Sequence, residues 1–293
     1  DLDVTKEMIN FVPGIVPGIG MAMNSFTRPG DKVMIQPPVY HPFAWVTTRN
    51  ERTLVTNPLK WENGMYRMDL DAFREQVKGC KLFILCNPHN PGGVVWTEDE
   101  LRTVAEICYE EKVLVFSDEI HADLTLPPYK HRPFATISEK AKMNSVTFMS
   151  PSKAFNMPGL AASHAIIFNE DLRARFRKFM DAGELDMGHV FAFLSVEAAY
   201  THGTEWLDQC LAYIQGNIDY TEHYLKEQVP TIKMIRPQAS YLIFLDCREL
   251  GLNREELNRL FVEDAHLALN EGTTFGKEGE GFMRLNIACP VSY

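Results

Sequence analysis

Residues 145–156 read SVTFMSPSKAFN, a run of β-favouring residues that changes abruptly into a polar turn carrying Lys153. The same pattern occurs twice earlier, because residues 81–93 read KLFILCNPHNPGG and residues 113–123 read VLVFSDEIHAD. Short apolar runs bounded by turn residues are typical of buried strands in a parallel sheet. In open α/β sheets, ligands bind at the carboxyl ends of such strands. The three turns are therefore candidate sites of function.

The rest of the chain favours an α/β fold in which a mainly parallel sheet is sandwiched by helices. Helical stretches separate the strands: a capping box of Thr97 and Glu100 predicts a helix that runs to about Glu111. Pro17 suits the first turn of another helix, since a proline there loses no hydrogen bond. The predicted strands of the sheet lie at residues 32–36, 52–56, 81–86, 113–117, 145–149 and 162–168.

The chain is predicted to divide into a large domain and a small one. Residues 1–204 would form the large domain, and residues 205–230 a long amphipathic connecting helix that Pro230 ends. Residues 231–293 would form a small C-terminal α+β domain. Its predicted elements are a strand at 240–246, a helix at 254–264 and short strands near 266–269 and 282–286.

Composition and charge exclude several classes of partner. The 293 residues carry a formal net charge of −10, which argues against nucleic acid and anionic membranes because both attract basic surfaces. No apolar run approaches the length of a membrane span, and the first residues lack the pattern of a signal peptide. The six cysteines are scattered singly, and none of the nine histidines falls at a ligand-like spacing to them. We therefore expect reduced thiols, no metal site and a cytoplasmic location.

Each polar turn has an ordinary structural explanation when it is taken alone. The prolines and glycines after Asn87 are typical of a tight turn, a carboxylate such as Asp118 often caps a helix, and Lys153 can be a solvated surface residue. In a fourth stretch, Arg284 interrupts an apolar strand, as a snorkelling edge residue would. The ordered combination is far more specific than any one of these signals.

Taken in order, the strand–NPxxPGG, strand–SDEIH and strand–SxSKxFN segments resemble the class I and II aminotransferase superfamily of pyridoxal-phosphate (PLP) enzymes, which have fold type I. The resemblance runs from about Phe11 to Pro290. Several runs are similar to those of cystathionine β-lyases and related carbon–sulfur lyases, namely residues 85–92, 118–123, 130–134, 241–246 and 275–286. General aminotransferases more often carry tyrosine in place of His121 and a phosphate-binding arginine in place of Ala161, so both departures favour the lyase branch.

The resemblance implies a set of residues around the PLP ring. Lys153 would bind the cofactor covalently and then move protons at the substrate Cα. Asp118 would keep the pyridine nitrogen protonated, and Tyr40 would lie against the ring face. Asn90 would hydrogen-bond the phenolic oxygen of the ring and contact the substrate. His121 would either contact the cofactor or support Asp118.

The resemblance also implies residues for the phosphate and the substrate. Ser150 and Ser152 would reach the phosphate, joined by the backbone N–H groups of Ile15 and Val16 at a helix N-terminus. Arg284 would bind the substrate carboxylate through two parallel hydrogen bonds, which lysine cannot reproduce.

The activity implied by the resemblance is cleavage of a carbon–sulfur bond in a cysteine-derived amino acid such as cystathionine, giving a thiol, ammonia and pyruvate. An aminotransferase would use the same residues. A PLP-binding regulatory or interaction protein without useful turnover is an alternative of a different class.

Fold type I enzymes are generally homodimers, so we expect a homodimer. Relatives also carry a longer N-terminal segment before Pro13 and a final helix after the arginine strand, so we expect this chain to be part of a longer protein.

Overall fold

The computed structural model describes residues 2–290, which form one large sheet, one small sheet and a hairpin. The strands are β1 (Ile9–Val12), β2 (Lys32–Ile35), β3 (Thr53–Thr56), β4 (Lys60–Glu62), β5 (Met65–Arg67), β6 (Cys80–Cys86), β7 (Leu114–Asp118), β8 (Ser145–Met149), β9 (Ser163–Ile166), β10 (Lys233–Ile235), β11 (Leu242–Asp246), β12 (Asn270–Glu271) and β13 (Phe282–Asn286). The α-helices are α1 (Ile15–Phe26), α2 (Pro42–Arg49), α3 (Leu70–Gln76), α4 (Glu98–Glu110), α5 (Glu139–Met143), α6 (Glu170–Ala182), α7 (Val190–His202), α8 (Thr204–Gln228) and α9 (Arg254–Asn258). Within residues 2–290, no helix is both long and apolar enough to cross a membrane.

The large sheet has seven strands in the order β1-β9-β8-β7-β6-β2-β3. Strands β8, β7, β6, β2 and β3 pair in parallel, whereas β9 is antiparallel to both β8 and β1. The predicted, mainly parallel sheet is therefore confirmed, and the six predicted strands differ from the observed ones only at their ends. The sequence analysis missed β1 and the β4–β5 hairpin, because both are short and lack a long apolar run.

Helices cover both faces of the large sheet, as predicted. In β6 the side chains of Phe83 and Leu85 face one layer, where they pack with Leu101 and Val104 of α4. The intervening residues of β6 face the opposite layer and pack in a second cluster with helices α1, α2 and α6. Because neighbouring strand residues point to opposite faces, a central strand that is apolar throughout needs a helical layer on each side.

Two predicted helix starts can be compared with the structure. The capping box of α4 is present, since Thr97 Oγ1 accepts from the Glu100 N–H at 3.2 Å and a Glu100 oxygen accepts from the Thr97 N–H at 2.8 Å. Helix α1 begins at Ile15, so Pro17 is its third residue and not its first. Proline is tolerated there because the N–H groups of the first turn have no partner inside the helix.

The small sheet follows the long helix α8 and has the order β10-β11-β13-β12, with every pair antiparallel. The predicted strand near 266–269 is wrong. The Leu267 N–H bonds to the Phe261 carbonyl oxygen, and pairing with β13 starts only at Asn270. The predicted helix at 254–264 is α9 continued by a π-helical turn, Arg259–Asp264.

Backbone hydrogen bonds join the small sheet to the large one beside the carboxyl ends of the parallel strands. Gln238 N–H donates to the Gly93 carbonyl oxygen at 2.8 Å, and Ser240 N–H donates to the Leu124 carbonyl oxygen at 2.9 Å. Phe244 and Phe282 belong to the same buried cluster as the α4 side of the large sheet. The predicted division at residues 204 and 230 stays a prediction, and residues 1 and 291–293 of the two predicted domains lie outside the described residues.

A close approach of two glycines holds the loop between β12 and β13. A Cβ on Gly272 would lie 1.9 Å from the Gly279 carbonyl oxygen and 2.7 Å from that of Phe282. Because backbone atoms cannot move aside cheaply, Gly272→Ala is expected to lower the free energy of unfolding by at least about 2 kcal/mol in urea titrations. Gly216→Ala is the control, since Gly216 lies inside α8 with open space around it. That control is expected to stabilise by up to about 1 kcal/mol, and an equal effect of both changes would contradict the argument.

Candidate active site

Four parallel strands deliver their carboxyl ends to one cavity of about 440 Å³. Tyr40 follows β2, Asn90 follows β6, Asp118 is the last residue of β7, and Lys153 follows β8. Arg284 enters the same cavity from β13 of the small sheet. The predicted site residues that line this cavity are Ile15, Val16, Tyr40, Asn90, Asp118, His121, Ser152, Lys153 and Arg284.

Ser150 is the predicted site residue that lies behind the cavity wall. Its hydroxyl is buried and donates to the Ala162 carbonyl oxygen at 2.8 Å, and it accepts from the Ser152 N–H at 3.2 Å. Ser150 therefore holds the Ser152 turn in place, and its predicted contact with a phosphate stays a prediction. Ala161 is exposed and has a left-handed backbone, with φ of 47°.

The N-terminus of α1 offers unpaired donors to the cavity. Its N-cap, Gly14, supplies no side-chain acceptor for the first turn, and φ at Gly14 is 124°, a conformation that favours glycine. The N–H groups of Ile15 and Val16 belong to the first helical turn, where no intrahelical acceptor exists. Together with the Ser152 hydroxyl, they form a surface suited to a phosphate-sized anion.

Asp118 is a buried carboxyl group at the floor of the cavity. It is 3% exposed, and its Oδ1 accepts a hydrogen bond from the Ile120 N–H at 3.1 Å. Burial raises the pKa of Asp118 to about 7, and the nearby Lys153 charge only partly opposes this shift. A cationic group beside Asp118 would therefore be needed to keep the carboxylate ionised at neutral pH.

Glu119 ties the loop beyond Asp118 to β7, a role that the sequence analysis did not assign. One oxygen of its buried carboxylate accepts from the Ser117 hydroxyl at 2.7 Å and from the Phe134 N–H at 2.9 Å. The other oxygen lies 2.7 Å from His131 Nε2. The only sequence signal for this network was a second carboxylate directly after a buried strand.

Two cationic side chains face the cavity. Burial lowers the pKa of Lys153, and the nearby Arg284 charge lowers it further. Arg284 donates from Nη1 to Asn90 Oδ1 at 2.9 Å and from Nη2 to Asn270 Oδ1 at 2.7 Å. Its Nε is buried and has no hydrogen-bond partner within residues 2–290. A buried N–H group is normally hydrogen-bonded, so the free Nε donor indicates that Arg284 can bind an anionic ligand.

The remaining predicted residues are largely withdrawn from solvent. His121 is 3% exposed, and burial lowers its pKa to about 3, so its ring is neutral at physiological pH. Tyr40 packs its ring edge-on against Phe43 at 5.7 Å, and burial raises its pKa. The sequence analysis assigned no role to several other lining residues, although all of them except His41 lie in runs that resemble the lyases: His41, Cys86, Ile120, Tyr241, Leu242 and Asn286.

The burial of Asp118 predicts a pH-dependent stability for the ligand-free protein. Because its folded pKa of about 7 exceeds the ordinary 3.8, the folded state binds more protons than the unfolded state between these values. Stability is therefore lost as the pH rises through that window. Asp118→Asn removes the titration, so we expect it to be more stable than wild type at pH 8, by on the order of 2–4 kcal/mol. The gap should shrink towards pH 4 in urea titrations without ligand.

Asp208→Asn on the exposed surface of α8 is the control for this comparison. It is expected to change the free energy of unfolding by less than about 0.5 kcal/mol at either pH. A gap between wild type and Asp118→Asn that stays constant with pH would contradict the assignment of a buried, titrating Asp118.

The chain is similar to known proteins in both sequence and structure. Residues 1–292 match the family model for aminotransferase class I and II. Cystathionine beta-lyase PatB of Bacillus subtilis is 42% identical over 291 residues, which are 99% of this chain and 75% of PatB.

Two solved structures share the fold over 99% of this chain. A PLP-bound protein from Clostridium difficile 630, assigned as an aminotransferase, has a TM-score of 0.97 at 40% identity, with 75% of its own chain covered. Cystalysin from Treponema denticola, which contains a pyridoxal 5'-phosphate cofactor, has a TM-score of 0.96 at 34% identity, with 74% covered. Since the family match spans the ends of all four parallel strands and the arginine strand β13, this chain belongs to the class I and II aminotransferase family.

Proposed function

We propose that this protein is a PLP-dependent carbon–sulfur β-lyase that cleaves a cysteine-derived amino acid to a thiol, ammonia and pyruvate. The observation that carries the proposal is the meeting, in one cavity, of Lys153, Asp118 and Arg284 with the N-terminus of α1. PLP with a bound amino acid has an aldehyde carbon, a ring nitrogen, a phosphate and an amino-acid carboxylate. The cavity offers an amine for the aldehyde, a buried acid for the ring nitrogen, a helix N-terminus for the phosphate and a guanidinium for the carboxylate.

Two features of the cavity test whether PLP fits. The carboxyl of Asp118 is buried, and the Lys153 charge offsets the cost of that burial only in part, so a protonated pyridine nitrogen would supply the missing positive charge. The unpaired donors of Ile15 and Val16 suit a phosphate group, and Ser152 adds a hydroxyl beside them. The acid Asp118 would thus meet the positive ring nitrogen, and the N–H donors of α1 would meet the negative phosphate.

When bound, PLP supplies an aldehyde that binds amines and a ring that stabilises negative charge at the substrate Cα. Lys153 would hold the cofactor through its amine and then take the proton from Cα, a task that its lowered pKa favours. Asp118 would hold the proton on the ring nitrogen, and Tyr40 would pack on the ring. Arg284 would bind the α-carboxylate with the help of Asn90, which orients it. His121, which is neutral, would contact the cofactor or Asp118.

The charges around the cavity favour a substrate with one carboxylate to bind. Within residues 2–290, Lys153 and Arg284 are the cationic side chains that line the cavity. A second acidic group on the substrate would thus find no cation besides the lysine needed for the cofactor. The 42% identity to PatB, a cystathionine β-lyase, supports the lyase reaction. An aminotransferase is the second candidate, supported by the Clostridium difficile structure.

Product analysis separates the two reactions. We expect S-methyl-L-cysteine, which has a single carboxylate, to release pyruvate continuously from the full-length, PLP-supplied protein with no 2-oxo acid present. A β-thiolate leaves readily, so the cofactor would return to its starting form in every turnover. A single stoichiometric burst that resumes only after a 2-oxo acid is added would instead establish the aminotransferase. Lys153→Ala is expected to abolish turnover and the absorbance band of the lysine-linked cofactor.

We further propose that the protein is a homodimer that forms through α7. This helix exposes most of its apolar side chains, among them Val190, Phe191, Phe193 and Leu194, which are each at least 50% exposed. An exposed apolar surface of this kind is typical of a protein–protein interface. Because the same surface patch serves both subunits of a two-fold dimer, a second copy can cover it. Helix α7 also contacts the turn that carries Lys153, since Tyr200 packs on Phe155, two residues after that lysine.

The double change Phe191→Glu and Leu194→Glu is expected to convert the dimer into monomers in analytical ultracentrifugation, because charges would be buried without partners. Tyr129→Glu is the control, since Tyr129 is a similarly exposed aromatic residue outside α7. A double variant that remains dimeric would remove α7 from the interface.

We also propose a cytoplasmic location, which the absence of any disulfide among the six cysteines of residues 2–290 supports.

A further inference from the structure

Arg284 is oriented by neutral groups on every side that the structure describes. Asn90 and Asn270 each accept one hydrogen bond from its guanidinium, at 2.9 and 2.7 Å. The guanidinium carbon also lies 4.6 Å from the centre of the Phe275 ring. No carboxylate within residues 2–290 lies at ion-pair distance from Arg284, whereas Arg236, Arg248 and Arg254 each pair with an acid.

Asn270 is placed for this contact by the small sheet itself. Its residue pairs directly with Arg284 in the β12–β13 ladder, so both side chains project from adjacent positions. Next to it, the buried Glu271 accepts from the Thr273 N–H at 2.8 Å and pairs with Arg254 at 3.0 Å. These bonds hold the two-residue strand β12 in place, and with it the amide of Asn270.

We propose that Asn270 is a positioning residue whose neutrality matters: it orients Arg284 for the substrate carboxylate without consuming its positive charge. Arg284 has five N–H donors, of which two are used by the asparagines. The remaining donors, including the unpaired Nε, stay available for a carboxylate. A carboxylate at position 270 would orient the guanidinium equally well, but it would compete with the substrate for it.

This inference rests on the proposed binding of an amino acid at Arg284, and its consequence is a specific loss of carboxylate recognition. The binding of L-alanine is compared with that of L-alaninamide, which lacks the negative charge, by calorimetry on full-length, PLP-loaded protein. Wild type is expected to favour L-alanine by about 10- to 100-fold. Neither compound carries a β-leaving group, so β-elimination does not consume either of them during the titration.

Asn270→Asp is expected to reduce the alanine/alaninamide preference by about 10-fold or more, since the new charge repels only the carboxylate. Asn270→Ala should reduce it by about 3-fold, because Arg284 loses one anchor but keeps its charge. Asn270→Ser retains an acceptor and should restore part of the preference. With S-methyl-L-cysteine, the aspartate variant should raise KM far more than it lowers kcat.

Asn63→Asp is the matched control, because it adds the same charge on the exposed turn between β4 and β5. Its alanine/alaninamide preference should equal that of wild type. The inference is overturned if Asn270→Asp keeps the wild-type preference within twofold, or if it weakens both compounds equally, as a purely structural role would. Should wild type release no pyruvate from S-methyl-L-cysteine, the lyase proposal fails, while the binding comparison still decides the role of Asn270.

Discussion

The hydrogen-bond ladder of the parallel strands β2, β6, β7 and β8 is the constraint on which the site depends. Its register sets Cys86 beside Asp118 and Asp118 beside Phe148. Parallel pairing brings all four carboxyl ends to one edge, so residues that are distant in the sequence become neighbours. Shifting one strand by a single residue would turn Asp118 away from the cavity.

The second determinant is the burial of charge at that edge. Asp118 is nearly inaccessible and favours its neutral form, while burial makes Lys153 and Arg284 less basic. Each shift opposes the charged form because protein surroundings solvate charge poorly. A ligand group of opposite charge would stabilise the charged form of each of these side chains, as the proposed binding of a pyridinium ring and a substrate carboxylate requires. The two asparagines that accept hydrogen bonds from Arg284 are neutral, so they orient its guanidinium without compensating its positive charge.

The site also depends on contacts between the two sheets. Arg284 belongs to the small sheet, yet its Nη1 bonds to Asn90, which follows a strand of the large one. The bond from Gln238 N–H to the Gly93 carbonyl oxygen anchors the small sheet to the same turn. A movement of one sheet against the other would therefore displace Arg284 from Lys153 and Asp118.

The sequence by itself determined the α/β class, the six predicted strands of the large sheet and the capping box at Thr97, because strand periodicity and turn chemistry are local properties. The resemblance of the ordered segments to a known family singled out Lys153, Asp118 and Arg284, and the structure brings these three residues into one cavity. It predicted a strand near 266–269 that is wrong, because β12 forms only where β13 offers a partner. Tertiary structure alone decided that Asn270 contacts Arg284, that Glu119 joins His131, and that Ser150 lies behind Ser152. These contacts join side chains that are brought together by sheet register and domain packing, and in the first two cases no pattern along the chain encodes which groups will meet.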